Sequence, residues 1–226
     1  MTAQLPLDLG HRPALGRADF LVGPANREAV AWIDRWPDWP AAASGVRGLA
    51  LVGAPGSGKS HLAAAWQARS GASAIATAAA AGAATADAVL IDAPSLPDPE
   101  IESALFLLYE RLGARRGSIL LVTTLPPTQT RFALPDLASR LATFPVAALA
   151  APDDVLLAGL LAKLFADRQL RVAPEVVAYL LPRMERSFAA AQALVAALDA
   201  RALAERRPVT VALAGQVLGA IEPTLD

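Results

Sequence analysis

Short, unbroken runs of apolar residues alternate with helical patterns through the first two thirds of the chain. These runs have no polar residue at every second position, which is typical of strands buried on both faces of a parallel sheet. The apolar runs predict strands at 48–52, 74–76, 88–92, 118–123 and 144–149. Apolar residues spaced three to four apart predict helices over 20–35, 59–69 and 100–112. This alternation predicts an α/β fold with a parallel sheet flanked by helices.

The pattern changes beyond residue 152, where strands nearly stop and helical spacing dominates. Helices are predicted over 153–168, 174–184 and 187–206, and a last helix follows a short apolar segment at 209–211. The predicted parts are an extended tail over 1–18, an α/β domain over 19–151 and a small all-helical lid domain over 152–226. The low-complexity piece 77–86 is expected to be a connector within the α/β domain.

Composition narrows the class of protein that this pattern can build. Hydrophobic residues make up 54% of the chain and charged residues 18%, which favours a folded, globular protein. The formal net charge of -1 argues against a broad basic surface for duplex DNA. No cysteine is present, which excludes disulfides and thiolate metal sites. The apolar stretch 72–91 contains Asp87, so no membrane span is expected and the protein is predicted to be cytoplasmic.

A complete G-x-x-x-x-G-K-[ST] motif runs from Gly53 to Ser60, between a predicted strand and a predicted helix. In this context, glycines let backbone amides converge on phosphate oxygens at a helix N-terminus. Lys59 is expected to reach the β- and γ-phosphates, and the Ser60 hydroxyl is expected to bind magnesium. The predicted nucleotide-binding residues in this segment are Gly53, Pro55, Gly56, Ser57, Gly58, Lys59, Ser60 and His61. The motif therefore predicts ADP or ATP as cofactor, together with Mg²⁺.

P-loop proteins need an acid at the end of a neighbouring strand to hold the metal, partly through water. Asp92 ends the apolar run 88–91 and is predicted to take this role. The next residue is Ala93, at a position where many P-loop proteins carry a second acid that orients the attacking water. Its absence predicts weak or absent intrinsic hydrolysis, with Glu100 and Glu102 as nearby acids that could substitute.

Several landmarks together resemble the DnaA branch of the AAA+ proteins over nearly the whole chain. The P-loop extension G-K-S-H-L at 58–62 matches that branch. The segment F-L-V-G at 20–23 resembles the approach to the adenine pocket, which implies nucleotide contacts for Phe20 and Val22. The segment T-T-L-P-P at 123–127 resembles the end of the first-sensor strand, and the resemblance implies a nucleotide contact from Thr124, with Thr123 as the open alternative.

Two further segments extend the resemblance toward the C-terminus. The segment D-L-A-S-R-L at 136–141 resembles the box that carries an arginine finger, which implies a catalytic role in trans for Arg140. The segment that starts at Arg186 resembles the second-sensor helix, but the position of the usual sensor arginine holds Ala190. Arg183 and Arg186 are the candidates to compensate for it.

The tail carries its own motif. The segment Q-L-P-L-D-L at 4–9 matches the six-residue motif by which partners dock on the bacterial DNA polymerase sliding clamp. Pro6 favours an extended peptide, and such a peptide orders when it binds. The implied clamp-binding residues are Gln4, Leu5, Leu7 and Leu9. With this tail, and with no helix-turn-helix DNA-binding domain after the lid, the chain resembles the short Hda family of DnaA-related regulators.

That resemblance implies a regulator that carries ADP or ATP and docks on the DNA-loaded clamp. It would contact ATP-bound DnaA and promote hydrolysis of the DnaA nucleotide, and so restrain replication initiation. DNA contact is expected to be indirect, through the clamp, and homo-oligomerisation is left open.

Two other functions stay open from the sequence. One is an ATPase similar to DnaC or IstB that acts on DNA or on a helicase. The other is a clamp-tethered adaptor in which the nucleotide is only a structural ligand. The sequence also leaves open whether Trp32, Trp36 and Trp39 form part of the core or border the nucleotide.

Overall fold

The computed structural model describes residues 16–17, 20–92 and 99–221. The clamp motif at 4–9 and Ala93 lie outside the described residues. The strands are β1 (Arg47–Gly53), β2 (Ser73–Ile75), β3 (Ala88–Asp92), β4 (Ser118–Thr123) and β5 (Val146–Leu149). The helices are α1 (Arg27–Asp34), α2 (Lys59–Ser70), α3 (Ala78–Ala83), α4 (Pro99–Arg115), α5 (Pro135–Leu141), α6 (Asp154–Asp167), α7 (Pro174–Leu180), α8 (Phe188–Glu205) and α9 (Val211–Ile221).

The five strands form one parallel sheet in the order β2-β3-β4-β1-β5. Strand β4 is buried along its whole length, and β1 is buried at its five central residues. This burial on both faces explains why these strands read as unbroken apolar runs rather than as alternating ones. The prediction of a parallel α/β sheet flanked by helices, with a helical lid after it, is confirmed.

Alternate side chains of the central strands point to opposite faces of the sheet and enter two separate cores. Leu49 and Leu51 of β1 enter the first core, which also contains Trp66. Ala50 and Val52 enter the second core, on the side of α4 and α5. A third core joins the four helices α6 to α9 and forms the lid. The cores of the sheet domain and of the lid are therefore distinct clusters.

The tryptophans that the sequence left open belong mainly to the first core. The rings of Trp39 and Trp66 stack with centroids 5.5 Å apart, and Trp36 meets Trp66 edge-on at 6.1 Å. Arg69 lies over the Trp36 ring, and its guanidinium donates to the carbonyls of Ile33, Asp34 and Trp36. Because carbonyls at a helix C-terminus have no intrahelical partner, Arg69 ties the end of α1 to α2.

The first helix begins later than the periodicity predicted, at Arg27 rather than near Phe20. The buried Asn26 side chain explains this difference. Its oxygen accepts from the Gly23 amide at 2.9 Å, and its amide donates to the Leu21 carbonyl at 2.9 Å. These bonds replace helical ones, so residues 20–26 approach the P-loop as a bent, non-helical segment.

One other segment differs from the expected elements. The connector at 77–86 contains the short helix α3, whose first turn is capped by the Thr77 hydroxyl accepting from the Ala80 amide. The predicted last helix, α9, begins at Val211, and the Thr210 hydroxyl caps it by accepting from the Leu213 amide. A threonine therefore caps each of these two helices. Within the described ranges, no helix is long and apolar enough to cross a membrane.

A matched pair of glycine substitutions tests the packing of the second core. A β-carbon at Gly48 would lie 2.1 Å from the Phe144 ring, whereas one at Gly82 in α3 meets nothing within 4 Å. Gly48→Ala should lower the free energy of unfolding by about 1–3 kcal/mol through overpacking. Gly82→Ala should raise it by about 0.5–1 kcal/mol, because alanine favours a helix. Urea denaturation of the two variants checks both signs, and an unaffected Gly48→Ala variant would contradict the close contact.

Candidate functional site

The phosphate loop lies between β1 and α2, as the motif requires. Gly56 and Gly58 have φ angles of +72° and +97°, a left-handed conformation that glycine adopts without strain. A β-carbon at Gly53 would lie 2.6 Å from the Ser57 hydroxyl oxygen and 2.7 Å from the Leu149 carbonyl oxygen. Each glycine of the motif therefore permits a backbone path that a larger residue would block, which brings the loop amides to the N-terminus of α2.

Lys59 sits at the start of α2 and folds back over the loop. Its ammonium donates to the carbonyls of Gly53 and Ala54 at 2.7 and 2.8 Å. Partial burial lowers the pKa of Lys59, and the nearby Asp92 carboxylate opposes that shift. The ammonium is thus partly desolvated and close to the metal-site candidate, so the negative charge of a phosphate would stabilise it.

Ser60 and Asp92 are the predicted magnesium residues. Ser60 is exposed in the first turn of α2, and Asp92 is exposed at the C-terminal end of β3. No group of three or more His, Cys, Asp or Glu side chains that could hold a metal occurs among the described residues. A hydroxyl and a single carboxylate suit Mg²⁺, which keeps several waters and takes its other ligands from phosphates. These two residues therefore fit a nucleotide-bound magnesium ion rather than a metal held by protein alone.

A cavity of about 640 Å³ lies between the phosphate loop and the lid. Gly56, Gly58, Lys59 and Ser60 line it from the sheet domain, and α6 and α8 line it from the lid. Phe20 and Leu21, from the segment before α1, and His61 of α2 also line the cavity.

Aromatic rings form one part of the apolar lining of this cavity. The rings of Phe20 and Phe188 are stacked at 6.2 Å, and His61 meets Phe20 edge-on at 5.2 Å. A flat, apolar space beside a phosphate loop suits a purine base. Val22, assigned to this pocket from the sequence, is 48% exposed, whereas its neighbour Leu21 lines the cavity.

The lid contacts the phosphate loop directly at the N-terminus of α8. The Phe188 amide donates to the Gly56 carbonyl at 2.8 Å. Ser187 caps α8 by accepting from the Ala190 amide at 3.0 Å, and its β-carbon would lie 2.7 Å from a β-carbon placed on Gly56. The lid is therefore seated on the loop, and Gly56 is the residue that allows this close approach.

The two arginines that the sequence offered as replacements for the second-sensor arginine contact other residues of the lid. Arg186 pairs with Asp154 at 2.9 Å, and Arg183 lies over the Tyr179 ring at 4.1 Å from its centroid. Neither arginine lines the cavity between the loop and the lid. The cations that do line it from the lid are Lys163 and Arg168 of the α6 segment, which the sequence analysis did not single out. Their signal was present as polar residues on an otherwise apolar helix, but only the tertiary structure shows which way they face.

The two threonines at the end of β4 differ in accessibility. Thr123 is buried, and its hydroxyl donates to the Leu125 carbonyl within the same turn. Thr124 is exposed directly after the strand. The C-terminal ends of β3 and β4 are adjacent, so Thr124 and Asp92 lie at the same edge of the sheet. This placement favours Thr124 as the residue that meets a ligand at that edge.

Arg140 lies in the last turn of α5 and is held by side chains of α4. Its guanidinium pairs with Glu110 and lies over the rings of Phe106 and Tyr109, at 4.8 and 5.1 Å from their centroids. The Tyr109 hydroxyl is itself fixed by a hydrogen bond from Ser44 at 2.8 Å. Stacking and pairing limit the rotamers of Arg140, so the guanidinium is pre-oriented at the surface.

Glu102 anchors the other end of α5. This residue is fully buried, and one carboxylate oxygen accepts from the Leu134 amide at 2.8 Å. Leu134 is the residue just before α5 begins. The position of Glu102 therefore favours a structural role at the start of α5 over the substitute catalytic role that the sequence left open for it.

A parallel sheet in this strand order, a phosphate loop after the inner strand β1 and a helical lid seated on that loop are the features of the P-loop AAA+ fold. Within this class, residues 158–218 match the family model described as the lid domain of Hda. The chain therefore has an AAA+ fold, and its lid is similar to the lid domain of Hda.

Solved structures of DnaA share the fold. Domain III of the replication initiation protein DnaA from Thermotoga maritima matches with a TM-score of 0.78 and 18% identity, covering 94% of this chain and 99% of that one. AMPPCP-bound DnaA from Aquifex aeolicus matches with a TM-score of 0.66 and 17% identity, covering 82% of this chain and 64% of that one. At these identities the likeness shows that the fold is DnaA-like.

A more distant AAA+ motor gives a weaker match. The Holliday junction branch migration motor RuvB from Thermotoga maritima matches with a TM-score of 0.62 and 13% identity, covering 77% of this chain and 61% of that one. No curated protein sequence matches the chain significantly.

Removal of the Lys59 ammonium should strongly weaken ADP binding. Hydrogen bonds to charged groups contribute about 1.5–3 kcal/mol each, so Lys59→Ala should weaken binding by at least roughly tenfold to a hundredfold. Isothermal titration calorimetry measures the change, and Arg47→Ala, outside the loop, is the control. A Lys59→Ala variant that binds ADP as tightly as the wild type would contradict the phosphate site.

The same site should show a pH dependence set by Lys59. Burial lowers the Lys59 pKa in the free protein, and phosphate charge raises it in the complex. ADP binding should therefore take up a proton, and affinity should fall as the pH rises through the free-protein pKa, below the ordinary lysine value. Calorimetry in buffers of different ionisation enthalpy measures this uptake. Proton release on binding in the alkaline range would show that the sign is wrong.

Proposed function

We propose that this chain is a nucleotide-dependent regulator of replication initiation, which binds ADP or ATP with Mg²⁺ and promotes hydrolysis of the ATP bound to DnaA. The observation that carries this proposal is the combination of an Hda-type lid with a DnaA-like AAA+ fold. A pre-oriented arginine in the segment that resembles an arginine-finger box supports it. The tail at 4–9 would dock the protein on the DNA-loaded sliding clamp and so bring it close to DnaA.

The nucleotide bound by this chain would mainly set the conformation of the protein. Lys59 and the loop amides would hold the phosphates, Ser60 and Asp92 would hold Mg²⁺, and Phe20 and Phe188 would border the base. Because the lid is seated on Gly56, the ligand would contact both the sheet domain and the lid. The nucleotide would therefore set the orientation of the lid relative to the sheet.

Slow ATP hydrolysis by this chain follows from the lack of an acid placed to activate water. Ala93 supplies no carboxylate to orient a water molecule, and the buried Glu102 is bonded to the start of α5. A general base must lie within hydrogen-bond reach of the attacking water. The protein would thus retain its own nucleotide while it acts on that of DnaA.

Arg140 would act on the DnaA nucleotide in trans. A guanidinium inserted beside a transferring phosphoryl group stabilises the charge that develops on its oxygens. Phe106 and Tyr109 hold the Arg140 side chain extended over α4, which reduces the conformational entropy lost when it engages a partner.

Arg140→Ala should reduce the stimulation of DnaA ATP hydrolysis by about 10³-fold or more, down to the unstimulated rate. The assay contains clamp-loaded DNA, ATP-bound DnaA and the regulator, and it measures ADP formed on DnaA. Arg115→Ala is the matched control, because Arg115 is an exposed arginine of α4 paired with Asp87. Normal stimulation by Arg140→Ala would remove Arg140 from the mechanism.

The isolated protein should hydrolyse ATP slowly and retain bound nucleotide through purification. Steady-state phosphate release and mass spectrometry of the purified protein measure the two properties. Rapid multiple-turnover hydrolysis without partners would instead favour an ATPase similar to DnaC or IstB.

A further inference from the structure

The sequence contains only two lysines, Lys59 and Lys163, among its 20 basic residues. Both lysines line the cavity between the phosphate loop and the lid. Lys59 belongs to the phosphate loop, and Lys163 comes from the first lid helix, more than a hundred residues later. The fold therefore brings both lysine ammonium groups of the chain to one site.

Helix α6 presents one continuous face to this cavity. Leu160, Lys163, Leu164 and Asp167 line it, at the three- and four-residue spacing of a single helix face. The Lys163 ammonium is 2.8 Å from the Asp167 carboxylate, and the Lys163 side chain is only 24% exposed. This lysine is thus held at the cavity wall, with a carboxylate of the same wall beside it.

The other lid cations are less suited to contact a ligand in the cavity. Arg183 and Arg186 are bound to Tyr179 and Asp154 outside it. Arg168 lines the cavity, but its side chain is 14% exposed and lies 3.8 Å from Asp199 of α8, which ties α6 to α8. Position 190, where a second-sensor arginine was expected, holds alanine.

We infer that Lys163 is the lid's phosphate-contacting residue for nucleoside diphosphates and triphosphates. The inference rests on the proposed nucleotide binding, and it places the lid's positive charge on α6 instead of on α8. When a nucleotide binds, the Lys163 ammonium leaves Asp167 and bonds to a phosphate oxygen. A lysine suits this exchange because its ammonium is a compact charge on a flexible four-carbon stem.

The exchange is favourable on electrostatic grounds. The Lys163–Asp167 pair links residues four apart on a helix and involves an exposed carboxylate, and such pairs stabilise a helix only weakly. A phosphate group carries more negative charge and lies beside the α2 N-terminus, and its hydrogen bonds to an ammonium are charge-assisted. Asp167 then repels the ligand, so its carboxylate opposes binding while Lys163 supports it.

Two neutralising substitutions separate this role from a structural ion pair. Lys163→Gln should weaken ADP binding about tenfold to a hundredfold, as expected for the loss of one charge-assisted hydrogen bond. Asp167→Asn should bind ADP as tightly as the wild type or a few-fold tighter, since it removes a competing carboxylate. If the pair only supported the cavity wall, both substitutions would weaken binding alike, and that result would overturn the inference.

Calorimetry with ADP on the full chain gives these affinities, with thermal melting to confirm that each variant is folded. Lys163→Arg should restore most of the affinity lost in Lys163→Gln. Arg201→Gln, which breaks the exposed i,i+4 pair with Glu205 on α8, should leave the affinity unchanged. Wild-type protein that binds no ADP would sink the proposed function itself, whereas wild-type binding with an unchanged Lys163→Gln variant would sink only the role of Lys163.

Lysine footprinting provides a second measurement that needs no variant. Reductive methylation followed by mass spectrometry reports the reactivity of each of the two lysines separately. Saturating ADP should protect both Lys59 and Lys163. Protection of Lys59 with unchanged reactivity of Lys163 would overturn the inference.

Discussion

The hydrogen bond from the Phe188 amide to the Gly56 carbonyl joins the two halves of this molecule. On one side is a parallel sheet with its own cores, and on the other is a bundle of four helices with a separate core. Two independently packed bodies would leave their relative orientation free if no contact joined them near the ligand site. Because the contact falls on the phosphate loop itself, a nucleotide held by the loop would also lie next to the lid.

The cationic side chains of the cavity, like its packing contacts, come from both halves of the molecule. The cavity receives one ammonium from each half, Lys59 from the loop and Lys163 from α6. Partial burial makes the Lys59 ammonium less stable than it would be in water, and a phosphate would relieve that cost. Cations on both walls of the cavity would each attract a polyanionic ligand.

The contacts that position Arg140 differ from those that position the residues of the cavity. Helix α4 holds α5 at both ends, through Glu102 at its start and through Glu110, Phe106 and Tyr109 at its end. Tyr109 belongs to the second core and Phe106 packs against it, whereas Phe20 belongs to the first core. The residue proposed to act on a partner is therefore positioned by packing on one face of the sheet, while the base pocket depends on the other.

The sequence by itself determined the strands, the phosphate loop and most of the lid helices. Each of these leaves a local pattern in the sequence: an apolar run, a glycine motif or apolar residues at helical spacing. It located Asp92 at a strand end for the same reason, but it predicted no helix at Arg140, which lies in α5. Its other errors fell where a single side chain decides the backbone: Asn26 delays α1, and Thr77 caps a helix in a segment that composition did not mark as helical.

Only the tertiary structure decided which distant residues share the site. Helical spacing places Lys163 on a face of α6, but it does not say that this face meets the phosphate loop rather than solvent. The same holds for Phe188, which meets Phe20, and for Glu110, which meets Arg140. These contacts depend on how the lid seats on Gly56 and how α5 packs on α4. Such arrangements result from long-range packing, and no local pattern records them.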